Sequence, residues 1–367
     1  MIENAKASII QSKRFVLKRD IILALVVALT VIAVGVFMGW YNNKVVPPNP
    51  AATAHYNQEP NNPLSFMSNW DGPDYLRIAQ NGYTNFDQTN FFPLYPLAIK
   101  VVHVIISSSL ISALLISWAS LVGAIYFYLK IIKNLFGVAK NEEALRGLLP
   151  FILFPTAIFF LATYTEALFA FLALGAIYFA LRRNYLAAGA FLLPTTATHV
   201  TGILVWVLVI LILLEQKLQI TKVIVTGVIG GLGLLAYMVF LQLSFHDFLG
   251  FITSQKGHGW LKNSYLDIIT QARFLNIIFI ILLVLAAVYW WKRRKSFSIY
   301  SLLFLLIPII GRQYGGFNRY VLMAFPLPLM LYGYLRNKKL GYSLVLVLSS
   351  ILWAYFLFQY AGGYVGG

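Results

Sequence analysis

Residues 70–96 read WDGPDYLRIAQNGYTNFDQTNFFPLYP and set Asp71, Asp74, Arg77 and Asp87 beside Trp70, Tyr75, Tyr83 and Tyr95. A carboxylate in a partly apolar setting can hold a raised pKa and take a proton from an attacking hydroxyl. That makes Asp71 a candidate general base. The same residue also fits a helix N-cap, with Pro73 in the first turn, Asp74 at the third position and Asn81-Gly82 as the stop. The spacing predicts an amphipathic helix over 72–80, with Trp70, Tyr75 and Leu76 as headgroup-level anchors. Capping and catalysis are not exclusive, but a base needs an oxygen free to face substrate.

Other residues join this candidate site. Glu166 opens the apolar run TEALFAFLALGAIYFALRR, where an ionisable group is costly and suspect as functional; the alternative is a cap favoured by the helix dipole. Arg312 and Arg319 flank Gly315-Gly316. Arginine suits bidentate phosphate recognition, and Tyr314 and Tyr320 could stack or donate; snorkelling to lipid phosphates is the alternative. His199, between two short apolar arms, either caps a neighbour or takes part in binding or catalysis. His258, with Lys256 and Trp260, is a candidate for binding donor or acceptor. No His, Asp and Glu triplet shows metal-ligand spacing. A divalent ion between Asp71 and Asp74 and a capping pair stay open.

Composition sets the class. The 367 residues are 60% hydrophobic and 11% charged, with mean hydropathy +0.76. Soluble domains carry about 25% charged residues. A spanning helix needs roughly 20 apolar residues, and 21–40, 274–291 and 340–358 supply clear runs. The net charge of +16 does not indicate nucleic acid. Its basic residues cluster between apolar runs, at Lys13 to Arg19, Lys130 to Arg146, Arg182-Arg183, Lys217 to Lys222, Lys292 to Lys295 and Arg336 to Lys339. That pattern marks cytoplasmic loops. Without cysteine, disulfides and thiolate metal sites are excluded. The first apolar run is too long for a signal core and reads as an uncleaved span with the N-terminus inside.

Alternating the basic clusters gives an all-α polytopic protein of about eleven spans, one membrane domain over 1–367. The spans are 20–40, 110–132, 147–162, 166–182, 185–198, 200–214, 223–243, 274–291, 297–311, 320–335 and 340–360. Residues 91–108 form a half-inserted apolar segment. Extracytoplasmic loops cover 41–90 and 244–273, and Thr163 to Glu166 forms the outer tip of a hairpin. Gly227, Gly230, Gly231 and Gly233 offer a smooth packing face. Pro150, Pro155, Pro194, Pro308, Pro326 and Pro328 interrupt apolar segments, which is tolerated where protein or a wet cavity satisfies the backbone. A cavity opening outward beneath the outer loops is expected.

Trp70-Asp71-Gly72, Tyr75, Ile78-Ala79, Gly82-Tyr83 and FFPLYP at 91–96 together resemble the PIG-V-like mannosyltransferases, polytopic glycosyltransferases of the GT-C class. The resemblance continues, in order, through PTAIFFLATYTEALFAFLAL at 155–174, HVTGILV at 199–205 and NRYVLMAFPLPLML at 318–331. It implies a GT-C-like bundle and a polyprenyl-phosphate hexose donor, mannose by analogy. It implies a glycan, lipid or protein acceptor, with Asp71 as base and Arg319 at the donor phosphate. Arg312 and Tyr320 would assist there. Trp70, Asp74, Tyr75, Tyr95, Glu166, His199 and His258 are the substrate-binding candidates, with Tyr83 among the rings suited to apolar sugar faces. Family members carry His or Trp near Asp74 and Tyr75 and Arg at His199, differences that bear on the acceptor. A leaving phosphate and an attacking oxygen on opposite faces would invert the anomeric carbon.

Two other classes share these features. A transporter or flippase for a lipid-linked substrate predicts symmetry between halves, and no repeat is seen. A non-catalytic scaffold would use the carboxylates as caps and the rings as anchors. The expected location is a multi-pass membrane protein with its site facing outward, in a prokaryotic plasma membrane.

Overall fold

The computed structural model describes residues 2–47, 49, 59, 61–257, 274–307 and 316–364, the side chains of 2–17, 256 and 257 excepted. Among these residues there is no strand. The fold class expected from composition is therefore the one observed. Five helices are long and apolar enough to cross a membrane: α1 (Ile2–Val45), α4 (Ser109–Phe136), α9 (Ile220–Phe245), α11 (Phe274–Trp291) and α15 (Lys339–Ala361). Shorter apolar helices are α3 (Leu94–His103), α6 (Glu166–Leu181), α7 (Tyr185–Thr196) and α8 (Gly202–Glu215). The polar-rich α2 (Gly72–Asn81) precedes α3; α5 (Asn141–Ile152), α10 (Gly250–Gly257) and α12 (Lys295–Leu303) fill the links. The short α13 (Phe317–Val321) precedes α14 (Pro326–Leu335).

Eleven continuous spans are not what forms. The stretch expected to cross at 147–162 stops at Ile152, and only a 3-10 turn, Ala157–Phe160, follows. The stretch at 320–335 is split between α13 and α14. Pro155 lies in one break and Pro326 opens the helix after the other. A proline lacks the N–H that would continue the ladder, and it disfavours helix in the residue before it. Both breaks are walled by protein, with Phe154 to Thr165 and Leu322 to Phe325 all buried.

Helix directions follow from pairs of contacts. Ser117 Oγ lies 3.4 Å from the Tyr164 carbonyl, and the Phe127 and Tyr178 rings are 5.7 Å apart, so α4 and α6 run parallel. Asp20 meets Lys130 at 2.6 Å and Lys133 at 2.5 Å, while a Cβ at Gly35 would lie 2.3 Å from Leu161 Cδ1. Hence α1 runs opposite to α4. Tyr342 Oη bonds the Arg146 carbonyl, whereas Tyr360 reaches Asn69 and Met67. The basic clusters at 130–146, 182–183 and 336–339 thus share one end, and residues 66–72, 161–166 and 319 share the other. Lys130 and Lys133 are more than topology markers, because they neutralise the buried Asp20.

Of the four glycines expected to make a smooth face on α9, two do so closely. A Cβ at Gly233 would lie 2.0 Å from the Leu193 carbonyl, and one at Gly230 would lie 2.4 Å from Leu192 Cδ2. Gly227 makes ordinary contact with Ile210, and Gly231 faces open space. Large apolar side chains such as Leu25, Leu29, Leu344 and Ile351 remain exposed on α1 and α15, as a lipid-facing surface requires.

Candidate functional site

The site grows from the turn before α2. Trp70 has φ 58, a left-handed conformation rare for so bulky a residue. It is held there by its neighbours. Asn69 Nδ2 donates to the Tyr360 carbonyl at 2.7 Å and the Phe66 carbonyl at 3.2 Å. The Asn69 backbone N–H donates to Tyr360 Oη at 3.1 Å. Asp71 N–H donates to Tyr164 Oη at 3.2 Å, and that hydroxyl donates to the Asn69 carbonyl at 3.3 Å. Next to it, Thr163 clamps the turn through Met67 O at 3.0 Å and Ser68 Oγ at 2.9 Å. A side chain at 72 would force the clamp to shift, because a Cβ would lie 2.4 Å from Thr163 Oγ1 and 2.8 Å from Ser68 Oγ.

The amphipathic helix forms as expected, over Gly72–Asn81, with Gly82 at φ 73 ending it. Asp71 occupies the N-cap position but makes no side-chain cap. Its Oδ2 instead accepts from Arg319 Nη1 at 2.6 Å, and Oδ1 has no hydrogen bond among the described residues. The carboxylate is thus oriented by one oxygen and open at the other.

Arg319 is the hub. Its Nε lies 3.1 Å from Glu166 Oε1, an ion pair whose angle departs from that of a hydrogen bond. The guanidinium sits 5.1 Å from the Tyr164 ring centroid, 5.4 Å from Tyr320 and 5.8 Å from Phe159. Arg319 and Glu166 are both buried. Lone buried charges are very costly, so this arginine and its two acids stabilise one another. Glu166 comes from the first turn of α6, after the first helix break, and Arg319 from α13, before the second. Each break therefore places one charged residue beside Asp71. His199 joins from the α7–α8 link, its ring 5.3 Å from Tyr320 and 5.6 Å from Phe169. Thr201 N–H donates to His199 Nδ1 at 3.2 Å, which leaves the proton of the neutral ring on Nε2.

Several expected site residues serve packing. Tyr75 is buried, not an interfacial anchor, and packs edge-on against Phe91, Tyr95 and Tyr164, the last being the ring that also faces Arg319. Tyr95 is wholly buried, its hydroxyl bonded to the Ala113 carbonyl and Ser117 Oγ. Tyr83 packs on Tyr237 and Phe240 and donates to the Phe91 carbonyl. Each ring is apolar enough for core packing, and neighbouring helices use it so. Asp74 pairs with Arg77 at 3.6 Å instead of with Asp71's arginine. The two aspartates thus turn to different arginines. Among the described residues no group of three acidic, His or Cys side chains could hold a metal. Arg312, Tyr314, His258 and Trp260 lie outside the described residues. A groove of about 520 Å³ lies along α1, closed by Pro63, Leu64 and, from α4, Trp118, and is lined by apolar side chains including Leu29, Val36 and Trp40.

Reasoning from sequence missed Asn69, Thr163, Tyr164, Asn318 and Tyr360 as site-forming residues. Thr163 and Tyr164 sat beside Glu166 in the hairpin tip, but nothing local shows that they clamp a turn some 90 residues earlier.

Known proteins resemble part of this chain. Residues 11–248 match the family described as mannosyltransferase (PIG-V). The human GPI alpha-1,6-mannosyltransferase 2 is 32% identical over 139 residues, 36% of this chain and 28% of that protein. A GPI mannosyltransferase 2 of Drosophila pseudoobscura pseudoobscura is 32% identical over 119 residues, 29% of this chain and 26% of that protein. The matched segment thus spans under a third of either relative, both from eukaryotes. No solved structure matches. With the family match covering most of its length, the chain belongs to the PIG-V mannosyltransferase family.

Proposed function

We propose that this protein is an integral membrane glycosyltransferase that moves mannose from a polyprenyl-phosphate donor to an acceptor hydroxyl. The observation that carries the reading is the Asp71–Arg319–Glu166 constellation, with one Asp71 oxygen held at 2.6 Å by Arg319. In the proposed step the acceptor oxygen attacks the anomeric carbon and its proton passes to Asp71 Oδ1. The bond from that carbon to the phosphate oxygen breaks, and the phosphate leaves with the electron pair. A single displacement of this kind inverts the anomeric centre. A guanidinium carries five N–H donors. Asp71 and Glu166 engage two of its nitrogens, so Arg319 keeps donors for the departing phosphate.

The setting supports a lipid-linked donor. An isoprenoid tail needs apolar surface, and the groove along α1 supplies it. Its Trp118 donates from Nε1 to the Leu161 carbonyl at 2.9 Å, two residues before Thr163. The site and the basic clusters occupy opposite ends of the bundle, and the positive-inside tendency supports an extracytoplasmic site. The acceptor is a glycan, lipid or protein hydroxyl; the relatives' names favour a glycan of GPI type.

The test is transfer of radiolabel from polyprenyl-phosphate-mannose by the protein in membranes. Labelled product establishes the reading. Donor movement across the bilayer without product would favour the transporter, and neither would favour the scaffold.

A further inference from the structure

Asp71 and Glu166 share Arg319, the one cation paired with either acid among the described residues. Asp71 and Arg319 already neutralise each other. Glu166, with its side chain 2% exposed, therefore buries a surplus negative charge, which is costly. Its two neighbours on Arg319 are held differently. Asp71 Oδ2 accepts a hydrogen bond from Nη1 at 2.6 Å. Glu166 Oε1 lies 3.1 Å from Nε, yet Nε makes no hydrogen bond. Asp71 is also the wetter acid, its side chain 30% exposed. The backbone that carries the guanidinium is fixed, since Thr156 Oγ1 donates to the Asn318 carbonyl at 2.9 Å and Gly316, at φ 79, supplies the turn into α13. Glu166 is thus the partner that Arg319 can give up without breaking a hydrogen bond.

We infer that Glu166 stands in for the donor's phosphate: it holds Arg319 before the donor binds, and takes a proton when the phosphate arrives. The inference rests on the mannosyl-transfer reading above. A phosphodiester adds a negative charge to a triad that is already net negative, and like charges repel strongly where water is scarce. One carboxylate must then be neutralised. Burial penalises the charged form, which selects the drier Glu166 over Asp71. A proton from water adds to a Glu166 carboxylate oxygen, the phosphate takes its place opposite Arg319, and Asp71 stays ionised as the base. Two acids in unlike surroundings thereby take separate roles. The other groups within electrostatic reach of Glu166 are the hydroxyls of Tyr75, Tyr95 and Tyr360 and of Thr165, 3.4 Å from Oε2. All are uncharged near neutral pH and supply no compensating charge. Burial and the Arg319 charge both disfavour a proton on His199.

The experiment uses the full chain in detergent and polyprenyl-phosphate-mannose without acceptor. Calorimetric titration in buffers of different ionisation heat counts the protons taken up with the donor. Wild type and Glu166→Asp should take up about one proton per donor, and Glu166→Gln none. In transfer assays the wild-type donor KM should rise with pH, by up to about tenfold per unit, while that of Glu166→Gln stays level over the same range. A merely structural glutamate would change kcat or stability and leave the slope in place. No uptake by the wild type, or undiminished uptake by Glu166→Gln, overturns the inference. If Glu166→Gln fails to fold, infrared difference spectra on donor addition read the same proton. A protonated-carboxyl band must then appear in the wild type and move in Glu166→Asp; its absence, or its failure to move, overturns the inference. Labelled product without proton uptake leaves the mannosyl-transfer reading standing, whereas a protein that neither binds the donor nor makes product defeats both.

Discussion

Asp71 and Arg319 are 248 residues apart in the chain, yet their side chains meet at 2.6 Å. The contact engages one carboxylate oxygen and leaves the other without a hydrogen bond among the described residues, which is what the proposed role as base requires. Asp71→Asn keeps an oxygen for Arg319 and removes the basicity. General-base catalysis is worth about 10²- to 10⁴-fold, so mannosyl transfer should fall by at least two orders of magnitude. Size-exclusion and thermal unfolding in detergent should show an intact protein. Near-normal turnover in a folded Asp71→Asn protein would remove Asp71 from the role of base.

Arg319 answers to two acids, and Glu166 is the more deeply buried of them, at 2% exposed. Arg319→Met fills similar space but leaves that carboxylate without its cation. Breaking a buried pair by removing one partner costs about 3–5 kcal/mol, so the melting temperature should drop by several degrees. Arg319→Lys should be milder in stability yet severe in activity, because one ammonium cannot reproduce the planar fork that reaches both acids. A lysine variant with wild-type transfer would show that the site needs a positive charge and no particular geometry.

In the proposed step Arg319 meets the charge of the leaving phosphate, and Asp71 and Asp74 turn to separate arginines. Transfer by purified protein should therefore survive exhaustive chelation, and added magnesium or manganese should raise it less than twofold. Loss on chelation with recovery on metal addition would return a divalent ion to the reaction.

The apolar periodicity of this chain announced the helices, and the extents of α6, α7, α8 and α11 follow the runs within a few residues. Spans 147–162 and 320–335 are interrupted where proline competes with hydropathy, while the helix of span 297–311 ends earlier, at Leu303. Asp71, Glu166, Arg319 and His199 were legible because charged or polar groups stand out against apolar sequence. At Tyr75 and Tyr95 the sequence alone does not distinguish a ring that faces a ligand from one that packs in the core, and both are buried. Asn69, Tyr360 and Asn318 were silent, since their roles come from contacts between the two ends of the chain that local pattern does not encode.

The tightness around Gly72 makes a last, sharper prediction. A methyl at this position would meet Thr163 Oγ1 at 2.4 Å and Ser68 Oγ at 2.8 Å, and both hydroxyls belong to the clamp that fixes the Trp70-Asp71 turn. Overpacking of this kind costs about 1–3 kcal/mol, which a protein of this size survives. The relief it seeks is a shift of the turn, and that carries Asp71 away from Arg319. Gly72→Ala should therefore lose activity out of proportion to stability, about 10²-fold as expected for an ångström-scale misplacement of a catalytic group. Adding Thr163→Ala removes the nearer clash and should recover part of that activity, although Thr163→Ala alone, by loosening the clamp, should lower it. Two losses that combine into a gain would tie the effect to this contact; independent, multiplying losses would show that the turn tolerates the methyl and that Gly72 serves another end.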